Sequence, residues 1–104
     1  MVPPAAAAFR MRIHRHGSEV LVAVSDAELV GRRFREGIMQ LDVSEEFYGD
    51  ESADAPEVLR QLAVCTIANL VGVETITLAI RAGLVHPDNV LDIEGVPHAQ
   101  LCTA

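Results

Sequence analysis

A chain of 104 residues, half of them apolar, holds one domain and can bury a core without covalent staples. Two distant cysteines, Cys65 and Cys102, supply neither a disulfide framework nor a zinc ribbon, so a reducing cytoplasm with both thiols buried is the expected setting. A formal charge of −7 argues against non-specific nucleic-acid binding by the molecule as a whole. The charge is uneven, however. Residues 1–40 carry six arginines against four acids, and residues 41–104 carry two against eleven, an asymmetry of the kind that marks a partner surface.

The start, MVPPAAAAF, is too short in its apolar part and lacks the charged beginning of a signal peptide. Residues 1–8 are expected to form a flexible extension, and 9–104 a single compact domain. FRMRIHRHGSEVLVAVSD reads as a β-hairpin closed by Gly17-Ser18, a glycine-first loop suited to a type II′ turn. That register sets His16 against Glu19, His14 against Leu21 and Arg12 against Ala23. Phe9, Met11, Ile13, Val20, Val22 and Val24 then share an apolar side, and Arg10, Arg12, His14 and His16 line the other.

Ser25 and Glu28 have the spacing of a capping box, and Glu28, Arg32 and Glu36 stand four apart. A helix through AELVGRRFRE to Gly37 is predicted, with Ala27, Val30 and Phe34 inward. IMQLDV follows as a strand with Met39, Leu41 and Val43 toward the core, so a right-handed crossover with parallel pairing is expected. SEEFYGD reads as one helical turn capped by Ser44 and ended by Gly49.

Asp54, Pro56 and Glu57 open a second helix, which reaches about Asn69. NLVG is read as a break, and Val73 to Ala82 as a third helix with Val73, Ile76 and Ile80 inward and Gly83 as its stop. The nearly uncharged stretch Leu62 to Ile80 is long enough to span a bilayer. Asn69, Gly72 and Glu74 at its middle favour two buried helices, so no membrane contact is expected. HPDN is a turn, and VLDI and HAQLC are closing strands around Glu94-Gly95. The whole reads as an α/β domain of the two-layer α+β kind. It has a mixed sheet of about five strands with about three helices mainly on one face, in the order ββαβααββ.

Four blocks, GRRFREG (31–37), VSEEFYG (43–49), IANLVG (67–72) and GVPHAQ (95–100), resemble in content and order a small archaeal family catalogued as domain of unknown function 424. The resemblance covers the chain from about Phe9 onward. It implies an archaeal, intracellular α/β domain with no established activity, and it carries no catalytic role onto any residue. The proline- and alanine-rich start and the His14/His16 pair depart from the family pattern.

Several functional readings follow from the residues. A non-catalytic protein-interaction module is the leading one, because the acidic C-terminal half and open strand edges suit a protein partner or a homodimer. A second is an RNA-binding or translation-associated role on an uncovered strand face carrying Arg10, Arg12, His14 and His16, extended by Arg32, Arg33 and Arg35. A third is a small enzyme or metal site. His14 and His16 alternate at ligand spacing, and His98 and Asn69 are candidate partners for the acids Glu45, Glu46, Asp50 and Glu51. No P-loop, nucleophile elbow or metalloprotease helix accompanies them, and no cofactor or metal is expected. Asn69, His98 and Gln100 form the candidate polar site. Pro97 starts the last strand, and the His98 ring is expected to hydrogen-bond the nearby turn or the NLVG segment.

Overall fold

The first hairpin follows from its sequence without correction. In the computed structural model, which describes residues 8–103, β1 (Phe9–His16) and β2 (Glu19–Asp26) pair His16 with Glu19, His14 with Leu21 and Arg12 with Ala23. Gly17 has φ +60°, the left-handed first position that a type II′ turn requires. The expected N-terminal extension, residues 1–8, lies outside the described residues apart from Ala8.

The predicted helix over 27–36 is absent. A single 3₁₀ turn at Ala27–Leu29 leads instead into β3 (Arg33–Glu36), which pairs antiparallel with β4 (Met39–Asp42) as a separate two-stranded sheet. Ser25 caps nothing there, because it belongs to β2 and its hydroxyl donates to the neighbouring Asp26 carbonyl at 2.9 Å. The physical reason is alternation. Phe34 alone of 33–36 is buried, and it faces Leu41, so period two prevails over the four-residue charge spacing. The expected parallel crossover through this segment is likewise replaced by an antiparallel hairpin.

Two caps are as predicted. Ser44 accepts the Phe47 N–H at 3.2 Å and opens α1 (Glu45–Tyr48), a single turn ended at Gly49. After the two-residue β5 (Ser52–Ala53), Asp54 accepts the Glu57 N–H at 3.0 Å and opens α2 (Ala55–Leu62). This helix stops seven residues earlier than the sequence pattern suggests. Ile67–Val71 forms β6, a central strand buried from both sides, with Ala68 and Leu70 facing one layer and Val71 the other. Such a strand reads as a continuous apolar run, which periodicity alone does not separate from a helix. NLVG is therefore the end of a strand. α3 (Val73–Arg81) follows Gly72 directly; Ile76 is buried, but Val73 is 60% exposed rather than inward. β7 (Leu91–Ile93) and β8 (Val96–Cys102) close the chain around Glu94-Gly95, both at positive φ as in a type I′ turn.

The main sheet has six strands in the order β5-β1-β2-β6-β8-β7, parallel between β2 and β6 and antiparallel elsewhere. It is a mixed sheet in an α+β domain, the class predicted, with more strands and a different order. On one face Val58 and Leu62 of α2 and Ile76 and Ala79 of α3 pack over Phe9, Val22, Val24, Ala68, Leu70 and Ala99. On the other face the β3–β4 hairpin and α1 bring Phe34, Leu41, Val43 and Tyr48 over Ala23 and Val71. Cys65 is buried, but Cys102 is exposed, against expectation, because the second layer stops short of the end of β8. Among the described residues no helix is long and apolar enough to cross a membrane.

Candidate functional site

The face beneath the β3–β4 hairpin collects most of the residues that the sequence singles out. Strand alternation points Arg10, Arg12, His14 and His16 of β1 to this side, together with Asn69 of β6 and His98, Gln100 and Cys102 of β8. The register arranges them in ranks. Arg12, Ala23, Asn69 and Gln100 stand side by side across β1, β2, β6 and β8, and His14, Leu21, Ile67 and Cys102 form the next rank. The second layer seals Ala23 but leaves Leu21, Ile67 and Asn69 half-buried and Gln100 and Cys102 exposed. The result is an open strip about four strands wide, roughly 14 Å at the usual strand spacing.

The basic end of the strip is not the bare stripe that the sequence suggests. α1 lies against it. Arg12 donates to the Glu46 carbonyl at 2.7 Å, and the His14 Nε2 lies 2.8 Å from the Phe47 carbonyl oxygen. These are carbonyls of the last turn of α1, which lack partners within the helix and attract cations. The His14 ring also stacks on Phe47, with centroids 5.0 Å apart and planes at 18°. Arg10 donates to Ser52 Oγ at 2.8 Å, while His16 is exposed.

Arg33 and Arg35 do not extend this row. They sit on the β3–β4 hairpin, which packs toward β7, whereas α1 packs on β1 and β2. Arg33 pairs with Asp42 at 3.5 Å, Arg32 lies 5.0 Å over the Phe34 ring, and the Arg35 backbone N–H donates to the Glu94 carboxylate.

At the other end, the His98 Nδ1 lies 3.1 Å from the Leu70 carbonyl oxygen, within the NLVG segment. The side-chain amides of Asn69 and Gln100 make no hydrogen bond to another described residue. His98 and the acids Glu45, Glu46, Asp50 and Glu51 are not brought together, since α1 stands over β1 and β2, and β6 separates these from β8. Among the described residues no three His, Cys, Asp or Glu side chains are grouped to hold a metal ion, and His14 is engaged by Phe47.

A buried carboxylate that the sequence reading missed lies at the upper border. Asp26, 2% exposed, accepts the Glu74 N–H at 3.1 Å and the Thr75 N–H and hydroxyl at 2.8 Å each, so the end of β2 caps α3. The available signal was an acid ending a strand and a glycine opening a helix that has no capping side chain of its own. Tyr48, buried under the hairpin, has its phenol pushed up to about 12 by desolvation. Burial likewise raises the Cys65 thiol, partly offset by a backbone hydrogen bond.

Fold and site together define an α+β domain whose mixed sheet is packed on both faces and stays partly open on one, where it bears amides, an imidazole stack and arginine. The chain belongs to the family described as protein of unknown function DUF424, whose model matches residues 14–104. It is also similar to the crystal structure of an uncharacterized conserved protein from Methanopyrus kandleri. The TM-score is 0.74 at 25% identity, over 92% of this chain and 94% of that one. A search of curated proteins gives no match.

Proposed function

We propose that the protein is a binding module without catalysis and that its open sheet strip takes single-stranded RNA. The observation that supports this is the register, which aligns Arg12 and His14 with Asn69 and Gln100 across four adjacent strands. Of the chain's fifteen acids only Glu19 points to this side from those strands, and Thr66 donates to it at 3.0 Å. The strands thus bring two arginines, Arg10 and Arg12, against one acid to this side of an acidic molecule, a pair of cations for phosphate contact that Glu45 and Glu46 of α1 border. The unengaged amides suit the polar edges of bases, and the stacked imidazole suits their flat faces. A strip of this width accommodates about two or three bases.

The test is fluorescence anisotropy with a labelled single-stranded RNA of mixed sequence at low and moderate salt. His14→Ala should raise Kd about tenfold, since one stacked base contributes ~1–3 kcal/mol, and Asn69→Ala about fivefold, for the ~1 kcal/mol of one lost hydrogen bond. Absence of saturable binding at low salt, or variants that bind like wild type, would reject the reading.

A protein partner is the second reading, favoured by a different place. A cleft of about 320 Å³ at the outer edge of β1 is lined by Met11, Arg12, Ile13, Glu51 and Glu57. Its two carboxylates, close to the exposed Asp50 and Asp54, suit a basic segment. Glu51→Gln with Glu57→Gln would weaken capture of an arginine-rich peptide without affecting RNA.

A further inference from the structure

The last strand carries an edge that its neighbour does not cover. β8 continues to Cys102, but its pairing with β7 ends at His98 opposite Leu91. Hydrogen bonds fix which way each residue's backbone points. The Pro97 carbonyl accepts the Gly72 N–H at 2.9 Å, and the Thr103 N–H donates to Thr66 at 2.8 Å, both on the β6 side. Alternation therefore turns the N–H and C=O of Gln100 and Cys102 outward. Among the described residues none of these four groups has a partner.

Edge strands that remain single are normally guarded by charge, proline or a bulge. Residues 98–103, His-Ala-Gln-Leu-Cys-Thr, contain no acid, no arginine and no proline, in a chain where 22% of residues are charged. The other open edge, at the tip of β1, carries Arg15 and His16 and is guarded in the usual way.

We propose that this edge of β8 pairs with the same edge of a second copy, antiparallel, around a two-fold axis at Leu101. In that register Gln100 of each copy faces Cys102 of the other, and their outward groups form four reciprocal hydrogen bonds. A shift of the axis to Gln100 would need the edge of His98, which β7 already occupies. The occupant is a second copy because the ladder is self-complementary. The edge is also neutral, so two molecules of charge −7 can meet there without opposing carboxylates. The two sheets would join into one of twelve strands, with Gln100 and Cys102 of both copies in line on the same face. So short a ladder makes the association weak, and it forms at high protein concentration.

Sedimentation equilibrium on the full chain, without RNA, tests this independently of the proposed ligand. Wild type should show a concentration-dependent dimer. Gln100→Pro removes an outward donor that the monomer does not use, and proline is tolerated with its nitrogen on a free edge. It should give monomer at every concentration, with circular dichroism and Tm close to wild type. In a Cys102→Ser background, Leu101→Cys should form an interchain disulfide under mild oxidation, because the two Cα atoms face each other across the axis within bridging distance. Monomer at all concentrations would overturn the proposal. So would a folded Gln100→Pro protein that dimerises like wild type, or a dimer whose Leu101→Cys thiols fail to cross-link.

Discussion

Asp26 and Gly72 are packed so closely that a Cβ on Gly72 would overlap the Asp26 carboxyl group. Gly72 also sits at φ +108°, outside the usual range of other residues. Asp26 ends β2 and Gly72 directly follows its parallel neighbour β6, and their contact lets a carboxylate from one strand hold the first N–H groups of the helix that follows the other. Gly72→Ala should cost about 3 kcal/mol or more, from backbone strain and displacement of the cap. Asp26→Ala should cost ~2–4 kcal/mol, because it orphans buried donors. In Asp26→Ala with Gly72→Ala the overlap disappears, so chemical denaturation should show a loss smaller than the sum by ~1 kcal/mol or more. Additive losses would contradict the contact.

Tyr48 predicts the alkaline limit of the fold. Its phenol titrates at about 12 in the folded chain and near its ordinary value of 10.0 when unfolded. The folded state therefore holds the proton over that interval while the unfolded state has lost it. The stabilisation is complete below pH 10 and falls as pH rises from about 10 to 12. Urea midpoints measured across this range should decline, and Tyr48→Phe should flatten the decline. An equal decline in the variant would assign the loss to another group.

The β3–β4 hairpin shows where the sequence was legible and where competing patterns hid it. Gly37-Ile38 is the same glycine-first loop as Gly17-Ser18, and Gly37 has a φ of +63° against +60°. The rule that reads the first turn also reads the second. It was outweighed by the four-residue spacing of Glu28, Arg32 and Glu36, which exposed strand residues satisfy equally well. β6 was hidden for a different reason: strand and helix both produce an apolar run when buried from both sides. Caps at Ser44 and Asp54 and the register of β1 and β2 were readable because each depends on residues a few positions apart. The site was readable only in pieces, since the alignment of Asn69 with Arg12 arises from strand order, which no local pattern encodes. The turn itself is testable. Ile38 is fully exposed at its tip, so Ile38→Asn should change stability by no more than ~0.5 kcal/mol. Gly37→Ala should cost about 1 kcal/mol by forcing a side chain into left-handed backbone.

His98 stands where the strip meets the core, and its ring geometry fixes its tautomer. A carbonyl can only accept, so the Nδ1 facing the Leu70 oxygen at 3.1 Å must carry the proton in the neutral ring. Nε2 is then left as the acceptor. Nitrogen-15 chemical shifts of the imidazole should show a protonated Nδ1 and a bare Nε2, and the reverse would exclude this hydrogen bond. His98→Ala should cost ~1 kcal/mol of stability, the usual net contribution of one hydrogen bond. The ring tethers β8 to the carbonyl of Leu70 on β6 beside Val71, which is opposite His98 in the register. Amide exchange at Ala99 and Leu101 should therefore accelerate in His98→Ala, while β1, three strands away, keeps its protection. A uniform loss of protection would mean that the residue supports the whole fold, and unchanged protection on β8 would mean that it does not anchor the strand.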